Sequence, residues 1–217
     1  MKNVVKLLAF VVIVVGATSV KAGLIANGSF ETPTVAFGTH TNFVAGTNIG
    51  GWTIVGVDSA VVNSAVQNGI TFQAQDGNNW IDLAGVSSNN PNSGVTQNIT
   101  TQIGADYQLS FFVGSATDNI FFFASTVDLS IDGGMRMSFT NPTTPSNMLN
   151  WREFTVPFTA QASSTSITFY NGSAVSNYLS GLDNVSVTAA AVPEPSSMII
   201  AIGMMLSLSI ASRRWLK

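Results

Sequence analysis

Residues that could support nucleophilic catalysis are few in this chain. His40 is the only histidine, cysteine is absent, and no Gly-x-Ser-x-Gly motif occurs. A serine or cysteine nucleophile needs a positioned base, and no such pair can be assigned from local motifs. The absence of cysteine also excludes thiolate metal sites.

The acidic residues do not form a recognisable glycosidase pair. Glu31 and Glu153 are the only glutamates besides Glu194 near the C-terminus. Glycoside hydrolysis needs two carboxyl groups about 5–9 Å apart, and nothing suggests that these two meet. Asp76 and Asp82 could pair, but Asp76 begins an Asp-Gly-Asn sequence typical of a turn. We therefore expect a protein that is not an enzyme.

Three tryptophans are candidate ligand-binding residues. Trp52, Trp80 and Trp151 could stack against the apolar face of a sugar ring. A tryptophan in a strand more often packs in the core, and both interpretations remain open for each residue.

The elements that position these residues are predicted to be strands. No long stretch shows helical periodicity, and Leu109, Phe111 and Val113 alternate with smaller or polar neighbours. Ile131-Asp132-Gly133-Gly134-Met135 predicts a tight hairpin. Strands are expected near Trp52–Val55, Ala60–Val62, Trp80–Leu83, Gly94–Ile99, Tyr107–Val113, Val127–Ile131, Met135–Phe139, Arg152–Phe158, Ser166–Tyr170 and Leu182–Thr188. This pattern favours an all-β, jelly-roll β-sandwich.

Three polar stretches are expected to be long loops, at 38–51, 85–94 and 140–150. Loops on a rigid sandwich are the usual place for a binding surface, and plain solvated connections are the alternative. The first of these stretches contains His40.

The N-terminus has the form of a secretory signal peptide. Lys2 and Lys6 precede an apolar stretch from Leu7 to Val15, and Val20-Lys21-Ala22 is a small-residue cleavage site. We expect residues 1–22 to direct the chain to the Sec translocon and to be removed after Ala22. A retained signal anchor is the alternative.

The C-terminal segment, residues 189–217, predicts a membrane helix with a cytoplasmic end. Ser196 to Ser212 carries no charge and would measure about 25 Å as a helix, which is short for a hydrocarbon core of about 30 Å. Arg213, Arg214 and Lys217 follow, and the positive-inside rule places them in the cytoplasm. Before processing the protein would thus be membrane-anchored.

The same segment resembles a known sorting signal. Val192-Pro193-Glu194-Pro195-Ser196, the apolar helix and the basic end together resemble the PEP-CTERM signal of Gram-negative, exopolysaccharide-producing bacteria. The resemblance implies that an exosortase, a membrane-embedded protease, recognises Pro193, Glu194 and Pro195. It would remove the helix and leave the protein at the cell surface or outside the cell. A simple C-terminal anchor is the alternative.

Residues 23–188 are long enough for one domain, and that domain is acidic. Between the two terminal segments stand ten acidic residues and two arginines, which gives a net charge of −8 against −3 for the whole chain. Nucleic acid is therefore not expected as a partner, since phosphate binding needs lysine and arginine. Neutral sugars and divalent cations remain compatible with this charge.

A series of short motifs in this domain is similar to the choice-of-anchor C family and to the domain-of-unknown-function family 642 (DUF642) of plant cell walls. More distantly, it is similar to carbohydrate-binding modules with a galactose-binding jelly roll. The motifs lie, in order, at Leu24–Glu31, Gly51–Val55, Asp76–Gly85, Gly94–Gln97, Tyr107–Phe111, Trp151, Phe158–Ala160 and Gly181–Val187. The resemblance implies a jelly roll and an extracellular location, but no particular ligand.

The resemblance also implies a structural calcium ion as the one candidate cofactor. Carbohydrate-binding relatives hold calcium with residues of the two motifs in which Glu31 and Asp183 stand here. Calcium takes six to eight oxygen ligands, and carboxylates are preferred. In the alternative, both carboxylates cap turns or accept backbone N–H bonds.

Three functions follow from these expectations. The favoured one is an exported, non-catalytic cell-surface or extracellular-matrix protein that binds polysaccharide. A structural or adhesive surface domain without affinity for sugar is the second, and a glycan-acting enzyme is the third.

Overall fold

The structure is a computed structural model that describes residues 23–67, 69–86, 88–116, 124–142, 148–173 and 179–190. The predicted signal peptide with Ala22 and the predicted sorting motif of Pro193, Glu194 and Pro195 lie outside these residues. Within the described part of the chain there is no helix, and hence none long enough to cross a membrane.

Two six-stranded antiparallel sheets form the domain, which confirms the predicted all-β sandwich. Sheet 1 has the strand order β1-β4-β7-β14-β9-β12, and sheet 2 has the order β11-β10-β13-β8-β3-β2. The strands of sheet 1 are β1 (Thr39–Val44), β4 (Asp58–Asn63), β7 (Asn79–Asp82), β9 (Asp106–Ser115), β12 (Asn150–Thr159) and β14 (Gly181–Ala189). Those of sheet 2 are β2 (Asn48–Ile49), β3 (Trp52–Val55), β8 (Gly94–Thr100), β10 (Ser125–Ile131), β11 (Met137–Asn141) and β13 (Ser164–Asn171).

A separate two-stranded hairpin joins β4 to β7. Its strands are β5 (Ala65–Gln67) and β6 (Ile70–Phe72). From β8 to β14 the chain changes sheet at each connection except the β10–β11 hairpin, as in a jelly roll. At that hairpin Asp132 and Gly133 have φ values of 51° and 69°, and the Gly134 N–H bonds to the Ile131 carbonyl, which confirms the predicted tight turn.

The main core lies between the sheets and follows the predicted alternation. Leu109, Phe111 and Val113 are fully buried, and the ring of Phe111 lies 4.9 Å from that of Phe169 on the opposite sheet. Residues between them, such as Phe112 and Gly114, face away from the core. That outward side of sheet 1 carries a second apolar cluster, which includes Val62, Phe72 and Trp80.

The expectation of one continuous loop over 38–51 was wrong. Residues 39–44 form β1, which pairs along its whole length with β4, and His40 lies in this strand opposite Val62. β1 is the edge strand of sheet 1 and is largely exposed, so its polar sequence reflects solvent contact and not the absence of a strand.

Candidate functional site

Strand register brings outward-facing residues of sheet 1 into two adjacent rows. His40 of β1, Val62 of β4 and Trp80 of β7 form one row. The next row runs through Ala60 of β4 and Asp82 of β7. Successive residues of a strand face opposite sides, so these side chains share the face turned away from the core.

A cavity of about 330 Å³ lies on this face. Ala60, Val62, Phe72, Trp80 and Leu179 supply its apolar walls. His40, Gln67 and Asp82 supply its polar side chains. Ligand pockets have volumes of about 300–1,000 Å³ and combine apolar walls with a few polar groups, so this cavity is at the small end of that range. We call it the sheet 1 cavity.

Two tryptophans fasten the segment that borders the cavity to sheet 1. The Trp80 Nε1 donates to the Phe72 carbonyl at 2.9 Å, and the Trp151 Nε1 donates to the Gln73 carbonyl at 3.0 Å. Their rings meet edge to face, with centroids 5.8 Å apart. Trp151 lies close over β9, because a Cβ added to Gly114 would come within 2.7 Å of its ring.

Asp82 is the carboxylate of the sheet 1 cavity and is 9% exposed. Its Oδ1 accepts the backbone N–H groups of Ala84 and Ser180, each at 3.0 Å. Burial raises the pKa of Asp82 to about 7, the two backbone bonds partly oppose this, and the negative charge of Asp58 adds to it.

Asp58 lies two residues before Ala60 and holds the loop that follows β7. It accepts hydrogen bonds from the Ser88 hydroxyl and from the Val86 N–H, and Asn42 of β1 donates to it at 3.0 Å. Val86 lines the cavity, so Asp58 positions one side of its opening.

The structure brings Glu31 and Asp183 to one loop, at residues 75–79. Glu31 Oε1 accepts the N–H groups of Asn78 and Asn79, both at 2.8 Å. Asp183 Oδ2 accepts those of Gln75 at 2.8 Å and Asp76 at 3.0 Å. Each carboxylate therefore acts as an anchor for loop backbone, which is the alternative that the sequence left open.

The hydrogen bonds of Asp183 reduce its capacity to bind a cation. Asp183 is fully buried, its Oδ1 also accepts the Asn184 N–H, and burial raises its pKa to about 7. Oxygens that already accept two N–H bonds have few lone pairs left for a cation. Among the residues described, no group of three or more histidine, cysteine, aspartate or glutamate side chains could hold a metal. Calcium binding through Glu31 and Asp183 stays a prediction.

The three candidate stacking tryptophans have different environments. Trp52 is completely buried in the core between Phe30 and Phe169, and its Nε1 donates to the Asn27 carbonyl. Its candidacy as a sugar platform is therefore wrong, because no face of its ring is free. Trp80 is 1% exposed at the cavity wall, and Trp151 is half-buried beside it.

Sequence reasoning did not identify the cavity itself. Asp82 was considered only as a catalytic partner for Asp76, and His40 only as an isolated loop residue. One signal was present: Asp82 stands in a short strand whose other residues include Trp80 and Ile81. A carboxylate buried in such a strand needs partners or a function.

Three solved structures are among those similar to this chain. An exo-β-1,3-galactanase from Phanerochaete chrysosporium is 20% identical, with a TM-score of 0.41, over 71% of this chain and 30% of its own. A family 35 carbohydrate-binding module from Clostridium thermocellum is 17% identical, with a TM-score of 0.41, and the match covers 70% of this chain and 98% of the module. TmCBM61, solved with β-1,4-galactotriose, is 14% identical, with a TM-score of 0.43, and the match covers 78% of this chain and 100% of TmCBM61. This chain thus spans about a third of the galactanase.

No curated protein matches the chain. Residues 23–188 match one protein family, described as "Protein of unknown function (DUF642)".

Proposed function

The chain belongs to the DUF642 family, and on that premise we propose that it is an exported, non-catalytic surface protein that binds a saccharide in the sheet 1 cavity. The observation that carries the proposal is the composition of the cavity. Trp80 and Phe72 form an aromatic wall, while Asp82, His40 and Gln67 offer hydrogen-bonding groups. Saccharides present apolar C–H faces and rims of hydroxyl groups, which suit such a mixed lining.

The charge of the domain supports a saccharide without acidic groups. Arg136 and Arg152 are the only arginine or lysine residues between the terminal segments, and neither lines the cavity. A uronate or sulfated glycan would meet Asp82 and the nearby Asp58 without a compensating cation.

The terminal segments supply the proposed route to the surface. Residues 1–22 would direct export through the Sec translocon, and the motif of Pro193, Glu194 and Pro195 would present the chain to an exosortase. Release from the C-terminal helix would leave the domain at the surface of a Gram-negative cell or in its matrix. Polysaccharide is then the ligand class that the domain would encounter.

A structural or adhesive role without sugar affinity is the second candidate. It is favoured by the burial of Trp80, of which only 1% is exposed, so that no broad ring face is open to stacking. A glycan array with the purified protein separates the two functions. Concentration-dependent binding to one saccharide class supports the first, and an empty array supports the second. A turnover assay on any bound glycan tests whether the protein is non-catalytic.

A further inference from the structure

One carboxylate oxygen of Asp82 accepts no hydrogen bond from the residues that the structure describes. Its Oδ1 takes both backbone N–H bonds, from Ala84 and Ser180, whereas Oδ2 has no hydrogen-bond partner among the described residues. The side chain is nine-tenths buried, and it lines the sheet 1 cavity. A buried carboxylate is unfavourable unless a cation or further donors compensate its charge.

Among the residues that the structure describes, no fixed cation pairs with this oxygen. Arg136 donates to the Pro91 carbonyl and to Asn92, and its guanidinium lies over the Tyr170 ring. Arg152 lies over the Phe154 ring on β12. All lysines fall within residues 1–22 or 191–217. In the described lining, His40 is the only basic side chain.

A neighbouring carboxylate adds negative charge close to the cavity. Asp58 acts on Asp82 from β4, and its own oxygens are occupied by Asn42, Val86 and Ser88. The cavity therefore combines negative charge, an aromatic wall and a free acceptor atom.

We propose that the sheet 1 cavity selects a saccharide that carries a free amino group, whose ammonium pairs with Asp82 Oδ2. This inference rests on the proposed saccharide binding and narrows its ligand class. An ammonium donates a charge-assisted hydrogen bond to the unpaired oxygen, which lines the cavity with the aromatic wall of Trp80 and Phe72. N-acetylation removes that charge and adds bulk to a cavity of about 330 Å³.

Three oligosaccharides that differ only at carbon 2 test the proposal. They are β-1,4-linked oligomers of glucosamine, N-acetylglucosamine and glucose, of equal length, titrated calorimetrically into the purified protein slightly above neutral pH. We expect the glucosamine oligomer to bind at least about tenfold more tightly than the other two, which corresponds to ~1.4 kcal/mol. Asp82→Asn should abolish this preference, so that the three oligomers bind the variant with similar affinity.

Comparison of Asp82→Asn with the control Asp106→Asn separates loss of the charge in the cavity from loss of one negative charge anywhere on the domain. Asparagine keeps an oxygen to accept the Ala84 and Ser180 N–H bonds, so the fold should persist. Asp106→Asn removes the same charge at an exposed residue at the start of β9 and should keep the preference. In the unmodified protein, carbodiimide coupling of bound glucosamine oligomer should place the new amide at Asp82, as read by peptide mass spectrometry.

Several results would overturn the inference. These are equal affinity for the three oligomers, an equal loss of preference in Asp82→Asn and Asp106→Asn, or coupling spread over exposed carboxylates. Putrescine binding as tightly as the glucosamine oligomer would show that an amine alone is recognised, and would remove the saccharide from the proposal. If the glucose oligomer binds and the glucosamine oligomer binds no better, the inference fails and the proposed function stands. If no saccharide of any class binds, both fail.

Discussion

Trp80 and Trp151 meet edge to face on the outward side of sheet 1, with ring centroids 5.8 Å apart. Their indole nitrogens donate to the adjacent carbonyls of Phe72 and Gln73. Strands β7 and β12 thus both bind the short segment at residues 72–73. Because Trp80 and Phe72 both line the sheet 1 cavity, this contact positions its aromatic wall.

Removing the Trp151 ring should loosen that segment. Trp151→Ala deletes the contact with Trp80 and leaves the Gln73 carbonyl without its indole donor, so we expect a loss of about 2–4 kcal/mol in the free energy of unfolding. Trp151→Phe keeps a six-membered ring but loses the hydrogen bond and part of the packing, at about 1–2 kcal/mol. Urea denaturation measures both. Equal and small losses would show that the contact contributes little to stability.

The loop at residues 75–79 should depend on Asp183 more than on Glu31. Asp183→Ala removes the acceptor of three buried or half-buried N–H groups and should destabilise the fold by about 3 kcal/mol. Glu31→Gln keeps an oxygen for the Asn78 and Asn79 N–H groups and should change stability by less than about 1 kcal/mol. The reverse order in thermal denaturation would contradict the assigned hydrogen bonds.

Calcium tests the same two carboxylates in another way. If the loop amides alone satisfy their oxygens, calcium and sodium at matched ionic strength will give the same melting temperature. Calcium bound to the native state at a hundredfold excess over Kd would instead stabilise by about 2.7 kcal/mol. A rise of roughly 5–10 °C that a chelator reverses and Asp183→Ala abolishes would establish the calcium site that the sequence predicts.

The pH dependence of stability should report on Asp82. Its pKa is raised from 3.8 to about 7 in the folded protein, so between these values the folded state binds more protons than the unfolded one. Stability must then fall as pH rises through this range, by up to about 1.4 kcal/mol per pH unit, and Asp183 adds a similar slope. Asp82→Asn cannot ionise, so unfolding measurements should show a shallower slope and a variant more stable than wild type near pH 8. Asp106→Asn should keep the wild-type slope, and an unchanged slope in Asp82→Asn would contradict the raised pKa.

Processing should remove both terminal segments. We expect the exported protein to begin at Gly23 and to end near Pro195, which intact-mass measurement can establish. Glu194→Ala should block removal of the C-terminal segment without changing the melting temperature of the domain, because residue 194 follows the last strand of the sandwich, which ends at Ala189. Extracellular protein that still carries Arg213–Lys217 would contradict sorting by an exosortase and favour a simple anchor.

How well the sequence predicted each element depended on where that element lies. β9 was predictable because Leu109, Phe111 and Val113 alternate between core and exterior, and β3 was predicted at its observed bounds, Trp52–Val55. β1 was missed because an exposed edge strand has no apolar alternation. β5 was missed for a similar reason, since Val66 and Gln67 are exposed.

The candidate site was less predictable than the fold because it depends on register. His40, Val62 and Trp80 come from three strands, and only their pairing places them in one row. The two anchoring carboxylates were recognised as important, yet their binding to the same loop requires the path of residues 75–79. Trp52 and Trp80 are both tryptophans in short, apolar strands. Only the face of the sheet on which each ring lies decides whether it packs in the core or at the cavity.

The most direct test of the account is whether a saccharide enters the sheet 1 cavity. Nitrogen-15 spectra with selectively labelled tryptophan, recorded with the best glycan from the array, should shift the Trp80 indole signal and leave that of buried Trp52 unchanged. Ala60→Leu fills the cavity wall and should weaken binding at least about tenfold. Val66→Leu, at an exposed position of β5, should bind like wild type. An unshifted Trp80 signal together with full affinity in Ala60→Leu would contradict the central claim, because the saccharide would then bind elsewhere.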